Sequence, residues 1–166
     1  MKPPIPKFAL GLLLLSLLSA CGFQLRGQVA QLSGLGQPLF ISGVEPYSEL
    51  GRELSEQMEQ AGMRLTSERG EAASTLLITQ VRSSERVVGL DARNRAAEYE
   101  LMESLRFSLR ETGRGERVPE QTLRVTRTVF APQDQFLAGR QEAQALRGDM
   151  RRELVNLLIR RLAVLL

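Results

Sequence analysis

Residues 98–111 read EYELMESLRFSLRE, and the alternation in this stretch decides the fold. Tyr99, Leu101, Leu105, Phe107 and Leu109 fall on one face of an extended chain, with Glu98, Glu100, Arg106 and Arg110 on the other. A period of two sustained over that length marks a strand with one buried and one solvated face. Glu103 occupies the apolar phase, which places a carboxylate on the inward face, where it needs a partner.

On either side the chain repeats the pattern. TGRGERVPEQ, residues 112–121, reads as a hairpin connection, after which TLRVTRTVFA sets Leu123, Val125 and Val129 against Arg124, Thr126 and Thr128. Upstream, STLLITQVRSSERVVGL is β-branched and apolar enough for a long, bulged strand from about Ser74 to Val88, followed by the polar turn DARNRAA. These three strands form an antiparallel meander. PLFISG, residues 38–43, supplies a further short strand, with proline at the position where a strand tolerates it.

Two segments carry the helical period. In PYSELGRELSEQMEQAG the residues Tyr47, Leu50, Leu54, Met58 and Ala61 recur at helical spacing, Pro46 suits the first turn and Gly62 supplies a stop, which predicts a helix over 47–61. Its face of Arg52, Glu53, Glu56 and Glu59 is solvated. In MRLTSERGEAA, which follows, Met63 to Thr66 form a strand stub or part of the connection. The final segment, residues 139–166, repeats Leu146, Met150, Leu154, Leu157, Leu158, Leu162 and Leu165 every three or four positions. Val155, Ile159 and Val164 widen that stripe beyond what one sheet face requires, enough to meet a partner, and Gly148 interrupts it at a cost of about 1 kcal/mol relative to alanine. Arg147, Arg151, Arg152, Arg160 and Arg161 also allow a helix lying on a membrane surface, but a sheet with one apolar face needs a cover.

The order β-α-β-β-β-α predicts an α+β fold over 38–166. It is a two-layer sandwich in which a four-stranded, mainly antiparallel sheet is packed by two helices on one face. Residues 22–37, rich in Gly, Gln and Ser without a sustained period, read as a tether.

What precedes the tether is a leader. Lys2 and Lys7 precede an apolar run, Phe8 to Leu18, that is too short to span a bilayer, and Ser19 and Ala20 are the small residues a signal peptidase requires. Residues 1–20 are therefore expected to be a cleaved signal peptide. The chain has a single cysteine, Cys21, directly after them. Leu18-Ser19-Ala20-Cys21 matches the bacterial lipobox, in which that cysteine carries lipid on its sulfur and on its new amino group. Several acyl chains together hold a soluble domain on a membrane stably, where one alone binds marginally. Gly22 is not the aspartate that favours retention in the inner membrane, which directs the expectation to the outer membrane.

Composition removes most chemistries. Of 22 basic residues, Lys2 and Lys7 belong to the leader, which leaves 20 arginines against 19 acidic side chains, a net charge of +1. So small an excess on an exported, lipid-anchored domain excludes nucleic acid as a partner. There is no histidine, the cysteine is consumed by lipid, and no GxSxG, HExxH or Walker pattern occurs. A carboxylate-pair glycosidase is the least implausible enzyme, yet the chain has no tryptophan and two tyrosines for sugar platforms. A noncatalytic binding or assembly role remains, with neither metal nor cofactor beyond the covalent lipid on Cys21.

ACGFQLRG at residues 20–27, AAEYELMESLRFSL at 96–109 after an Arg- and Asn-containing turn, and DMRRELVNLLIRRL at 149–162 occur in an order that resembles the LPS-assembly lipoprotein LptE family. The resemblance implies a four-stranded sheet packed by two helices. It also implies a plug seated in the outer-membrane β-barrel LptD, placing lipopolysaccharide in the outer leaflet and aiding assembly of the barrel. A plug that touches this substrate needs cations for its sugar phosphates. Arg93 and Arg95, in the turn before the third strand, are the leading candidates, and Arg147 on the last helix is the third. The rival reading is a lipid-anchored periplasmic binding or auxiliary component of a different envelope transporter.

Overall fold

The computed structural model describes Leu32 and residues 34–131 and 136–166, with residues 136–138 described through their backbone alone. Cys21, the leader and most of the tether lie outside the described residues. The elements are β1 (Leu39–Ser42), α1 (Glu49–Gln60), a 3-10 turn (Arg69–Glu71), β2 (Ser74–Leu90), β3 (Ala96–Glu111), β4 (Gly115–Phe130) and α2 (Phe136–Leu165). This is the expected α+β sandwich, with strand order β1-β2-β3-β4. The sheet is mixed: β1 pairs parallel to β2, from Leu39 opposite Ser74 to Ser42 opposite Leu77, and the other two pairings are antiparallel.

The stretch 98–111 behaves as its alternation requires. Leu101, Leu105, Phe107 and Leu109 are fully buried, and Arg106 and Arg110 are exposed. The inward face of β3 meets Val118, Val125 and Val129 of β4 and Met150, Leu154, Val155, Leu158, Ile159 and Leu162 of α2 in one core. Leu50, Leu54 and Met58 of α1 close it over β1 and the start of β2. Val155 and Ile159 belong to this core, while Val164 is 80% exposed. Each large aliphatic side chain taken out of water contributes about 1.5–3 kcal/mol. Leu32 and Leu35, from the segment read as tether, are buried in the same cluster, and the Leu32 N–H donates to the carbonyl of Ala61.

Two boundaries differ from the sequence reading, each for a local reason. The hairpin connection is Thr112–Arg114 rather than 112–121, because Gly113 and Gly115 take positive φ and close a tight turn, and Val118 already points into the core. Helix α1 starts later than Pro46: the Ser48 hydroxyl accepts the Gly51 N–H at 3.0 Å, a side-chain cap. Of the two readings left open for Met63–Thr66, the strand stub holds: it is an edge bridge, in which Leu39 N–H donates to the Arg64 carbonyl and the Leu39 carbonyl accepts from Thr66 N–H.

Because β1 stops opposite Leu77, the remainder of β2 is an edge that only β3 holds. Register shifts at Ile78/Gln80 and Val87/Gly89 show that the strand is bulged. After the first shift Val81, Ser83, Glu85 and Val87 lie on the helix side of the sheet, and the core does not reach over them: Val81 and Val87 are about half exposed.

Candidate functional site

Where the core gives out, the first turns of α2 and the hairpin end of the sheet enclose a groove of 510 Å³, lined by Glu85, Tyr99, Val129, Gln144 and Arg147 among others. Arg147, which lines it, joins the helix to two strands through one buried carboxylate, Glu103. Glu103 sits at the centre of β3 on the inward face and is 3% exposed. Its register partner Ser83 donates its hydroxyl to Glu103 Oε1 at 2.6 Å, and Arg147 Nε lies 3.8 Å from the same oxygen. The Arg147 head group donates through Nη2 to Glu85 Oε2 at 2.7 Å. At 3.8 Å the Arg147–Glu103 contact is an ion pair and not a hydrogen bond, so the buried Nε has no hydrogen-bond partner among the described residues. A glutamate in an apolar phase thus meets the arginine that its burial requires.

The other two candidates lie at the tip of the β2–β3 hairpin. Asn94 takes φ 61°, a conformation that Asn tolerates, and its N–H donates to the Asp91 carbonyl at 2.9 Å. Asp91 organises the turn: Oδ1 accepts from the N–H groups of Arg93 and Arg95 at 2.8 and 2.9 Å, and Oδ2 accepts from Arg95 Nε at 2.8 Å. The Arg95 guanidinium and these N–H groups outweigh desolvation and hold the Asp91 carboxyl below its ordinary value of 3.8. Arg95 is therefore a turn-forming cation. The Arg93 side chain is exposed and has no ion-pair partner among the described residues.

The three arginines differ in state. Arg93 offers a complete guanidinium fork, Arg95 is half-buried against Asp91, and Arg147 is engaged by Glu85 and Glu103 while still lining the groove. Beside them the hairpin end exposes Val87, Val88, Leu90 and Phe130. Sequence reading did not find Ser83 and Glu85, because a serine and a glutamate in a polar strand carry no signal until register is known. Among the described residues no group of three or more His, Cys, Asp or Glu side chains could hold a metal ion. Among the same residues no helix is long and apolar enough to cross a membrane.

The architecture recurs in solved structures. The crystal structure of rare lipoprotein B from Shewanella oneidensis matches with a TM-score of 0.67 at 19% identity, covering 77% of this chain and 95% of that one. The solution structure of an uncharacterized lipoprotein B from Nitrosomonas europaea matches with a TM-score of 0.67 at 22% identity, over 86% of this chain and 90% of that one. A minor lipoprotein from Acinetobacter baumannii gives a TM-score of 0.64 at 14% identity, over 78% and 92%. These likenesses establish the fold. A comparison with curated proteins finds no significant match. The family profile described as LptE, Lipopolysaccharide-assembly, matches residues 37–162, the span from two residues before β1 almost to the end of α2. The chain belongs to the LptE lipopolysaccharide-assembly family, and its role is in lipopolysaccharide assembly.

Proposed function

We propose that this chain is a noncatalytic outer-membrane lipoprotein, anchored through lipid on Cys21 at the periplasmic leaflet. There it plugs the LptD β-barrel, assists its assembly and takes part in passing lipopolysaccharide to the outer leaflet. The observation that carries this reading is the family match over residues 37–162, which takes in all four strands, α1 and most of α2. The architecture suits it. A plug needs a compact body with a polar face toward a barrel lumen, and this sheet has both helices on one side and a charged, hydroxyl-rich face on the other.

Arg93, Arg95 and Arg147 are the substrate-facing cations in this reading, with distinct tasks. Arg93 supplies the open fork for a sugar phosphate, Arg95 keeps the turn that presents it, and Arg147 lines the groove behind. The test is extraction of the lipoprotein from membranes in mild detergent, followed by identification of what accompanies it. Co-purification of a large outer-membrane barrel is the expected result, and recovery of the lipoprotein without one would overturn the plug assignment. Mass analysis of the mature N-terminus checks that it begins at an acylated Cys21.

A further inference from the structure

The face of the sheet turned away from the helices has no covering element among the described residues, and its centre is a regular grid. The register aligns Gln80, Arg106 and Thr122 in one row, Arg82, Ser104 and Arg124 in the next, and Ser84, Met102 and Thr126 in the third. Arg110, toward the β3–β4 turn, is also exposed without an ion pair among the described residues, but the arginines on either side of the grid's central row along the strands are neutralised in place: Arg86 meets Glu100 at 2.6 Å and Arg106 meets Glu120 at 3.6 Å. Arg82 and Arg124 are not. Both are exposed, and neither has an ion pair or side-chain hydrogen bond among the described residues. They flank Ser104, which is 8% exposed and whose hydroxyl is likewise unengaged among those residues.

From this grid we infer a binding site for a phosphate monoester carried on a sugar, seated over Ser104 between Arg82 and Arg124. Neighbouring strands are about 4.8 Å apart, so the two arginine backbones stand about 10 Å apart on one face, within reach of a single tetrahedral group between them. A carboxylate has two oxygens and is satisfied by one guanidinium fork. A phosphate monoester has three terminal oxygens, enough for both forks and the Ser104 hydroxyl. The site takes one such group and not a phosphodiester chain, because the Arg86–Glu100 and Arg106–Glu120 pairs bound it along the strands. Ser84, Thr122 and Thr126 frame it with hydroxyls suited to a saccharide rather than to an acyl chain. The site lies on the opposite face of the sheet from the groove at Arg147. It rests on the proposed function, since the sugar phosphate it would hold is that of lipopolysaccharide.

The experiment uses the full acylated chain in detergent and measures equilibrium binding of lipopolysaccharide, of the same lipopolysaccharide stripped of its monoester phosphates, and of inorganic phosphate. We expect R82Q/R124Q to weaken binding of intact lipopolysaccharide at least about tenfold, since each lost guanidinium removes charge-assisted hydrogen bonds. The stripped glycolipid should bind wild type no better than the intact one binds the double variant. R82K/R124K, which keeps the charge without the fork, should fall between wild type and R82Q/R124Q. Undiminished binding by a normally melting R82Q/R124Q overturns this site alone. So does inorganic phosphate binding as tightly as the glycolipid, or a double variant that loses the barrel and keeps lipopolysaccharide. Wild type that binds no lipopolysaccharide overturns the site together with the substrate contact of the proposed function.

Discussion

Ser83 and Glu103 face each other across the β2–β3 ladder, and the serine hydroxyl donates to the buried carboxylate at 2.6 Å while Arg147 approaches it from helix α2. The strand pair and the helix are thus joined through one side chain that the hydrophobic pattern does not accommodate. Helix α2 is tied to the rest by other ion pairs as well, Arg127 of β4 with Glu153 and Glu49 of α1 with Arg151. Those pairs are largely solvated and contribute little. Glu103 is different because its side chain is 4% exposed.

Removing the cation is therefore expected to matter more than removing the charge pair. Arg147→Met leaves a buried carboxylate with Ser83 as its one hydrogen-bond partner among the described residues and should destabilise by about 1–3 kcal/mol. Glu103→Gln combined with Arg147→Met should recover part of that loss. Urea unfolding of the two single variants and the double variant gives the coupling, and strict additivity would show that the pair is not energetically linked.

Gly148 lies inside α2, and a β-carbon built there meets nothing within 4 Å. Gly148→Ala should stabilise the domain by about 1 kcal/mol through backbone entropy alone. A raised melting temperature with unchanged lipopolysaccharide binding is the expected pair of readings.

Gly43 ends β1 with φ +87°, and a β-carbon there would lie 1.9 Å from the carbonyl oxygen of Ile78. Both the conformation and the space exclude a side chain. Gly43→Ala should cost more than about 1 kcal/mol and loosen the parallel β1–β2 pairing, visible as faster amide exchange at Leu39 to Ser42.

The Asp91 turn sets a pH dependence with a definite sign. Its folded value is below the ordinary 3.8, so the stabilisation it gives is complete above 3.8 and is lost as pH falls through the folded value. Carboxyl titration by NMR should place the Asp91 midpoint below 3.8, and Arg95→Gln should move it upward, because the Arg95 guanidinium is the main cause of the depression. The Arg93 and Arg95 amides should stay ordered until Asp91 itself protonates.

The two tip arginines separate binding from architecture. Arg93→Glu should weaken lipopolysaccharide binding with the hairpin turn intact, since its side chain holds nothing in place among the described residues. Arg95→Glu should weaken binding and also disorder the turn, because it sets a second carboxylate beside Asp91. Equal binding by wild type and a folded Arg93→Glu/Arg95→Glu variant would remove the tip from the substrate path.

The alternation of residues 98–111 and the helical spacing in 47–61 and 139–166 were enough to read the sandwich from sequence, because a sheet with one apolar face and two amphipathic helices has few ways to bury them. The same alternation singled out Glu103 as an interior charge needing a partner. Local rules were weaker at boundaries, where one cap hydroxyl on Ser48 and two positive-φ glycines shifted the ends of elements. The partners of Glu103, the pairing of Arg95 but not Arg93, and the alignment of Arg82, Ser104 and Arg124 were beyond reach of any pattern. They depend on register between strands distant in sequence, and register is settled only when bulges, turn and core come together. Side-chain type is a property of the chain; which charges meet and which are left facing outward is a property of the fold.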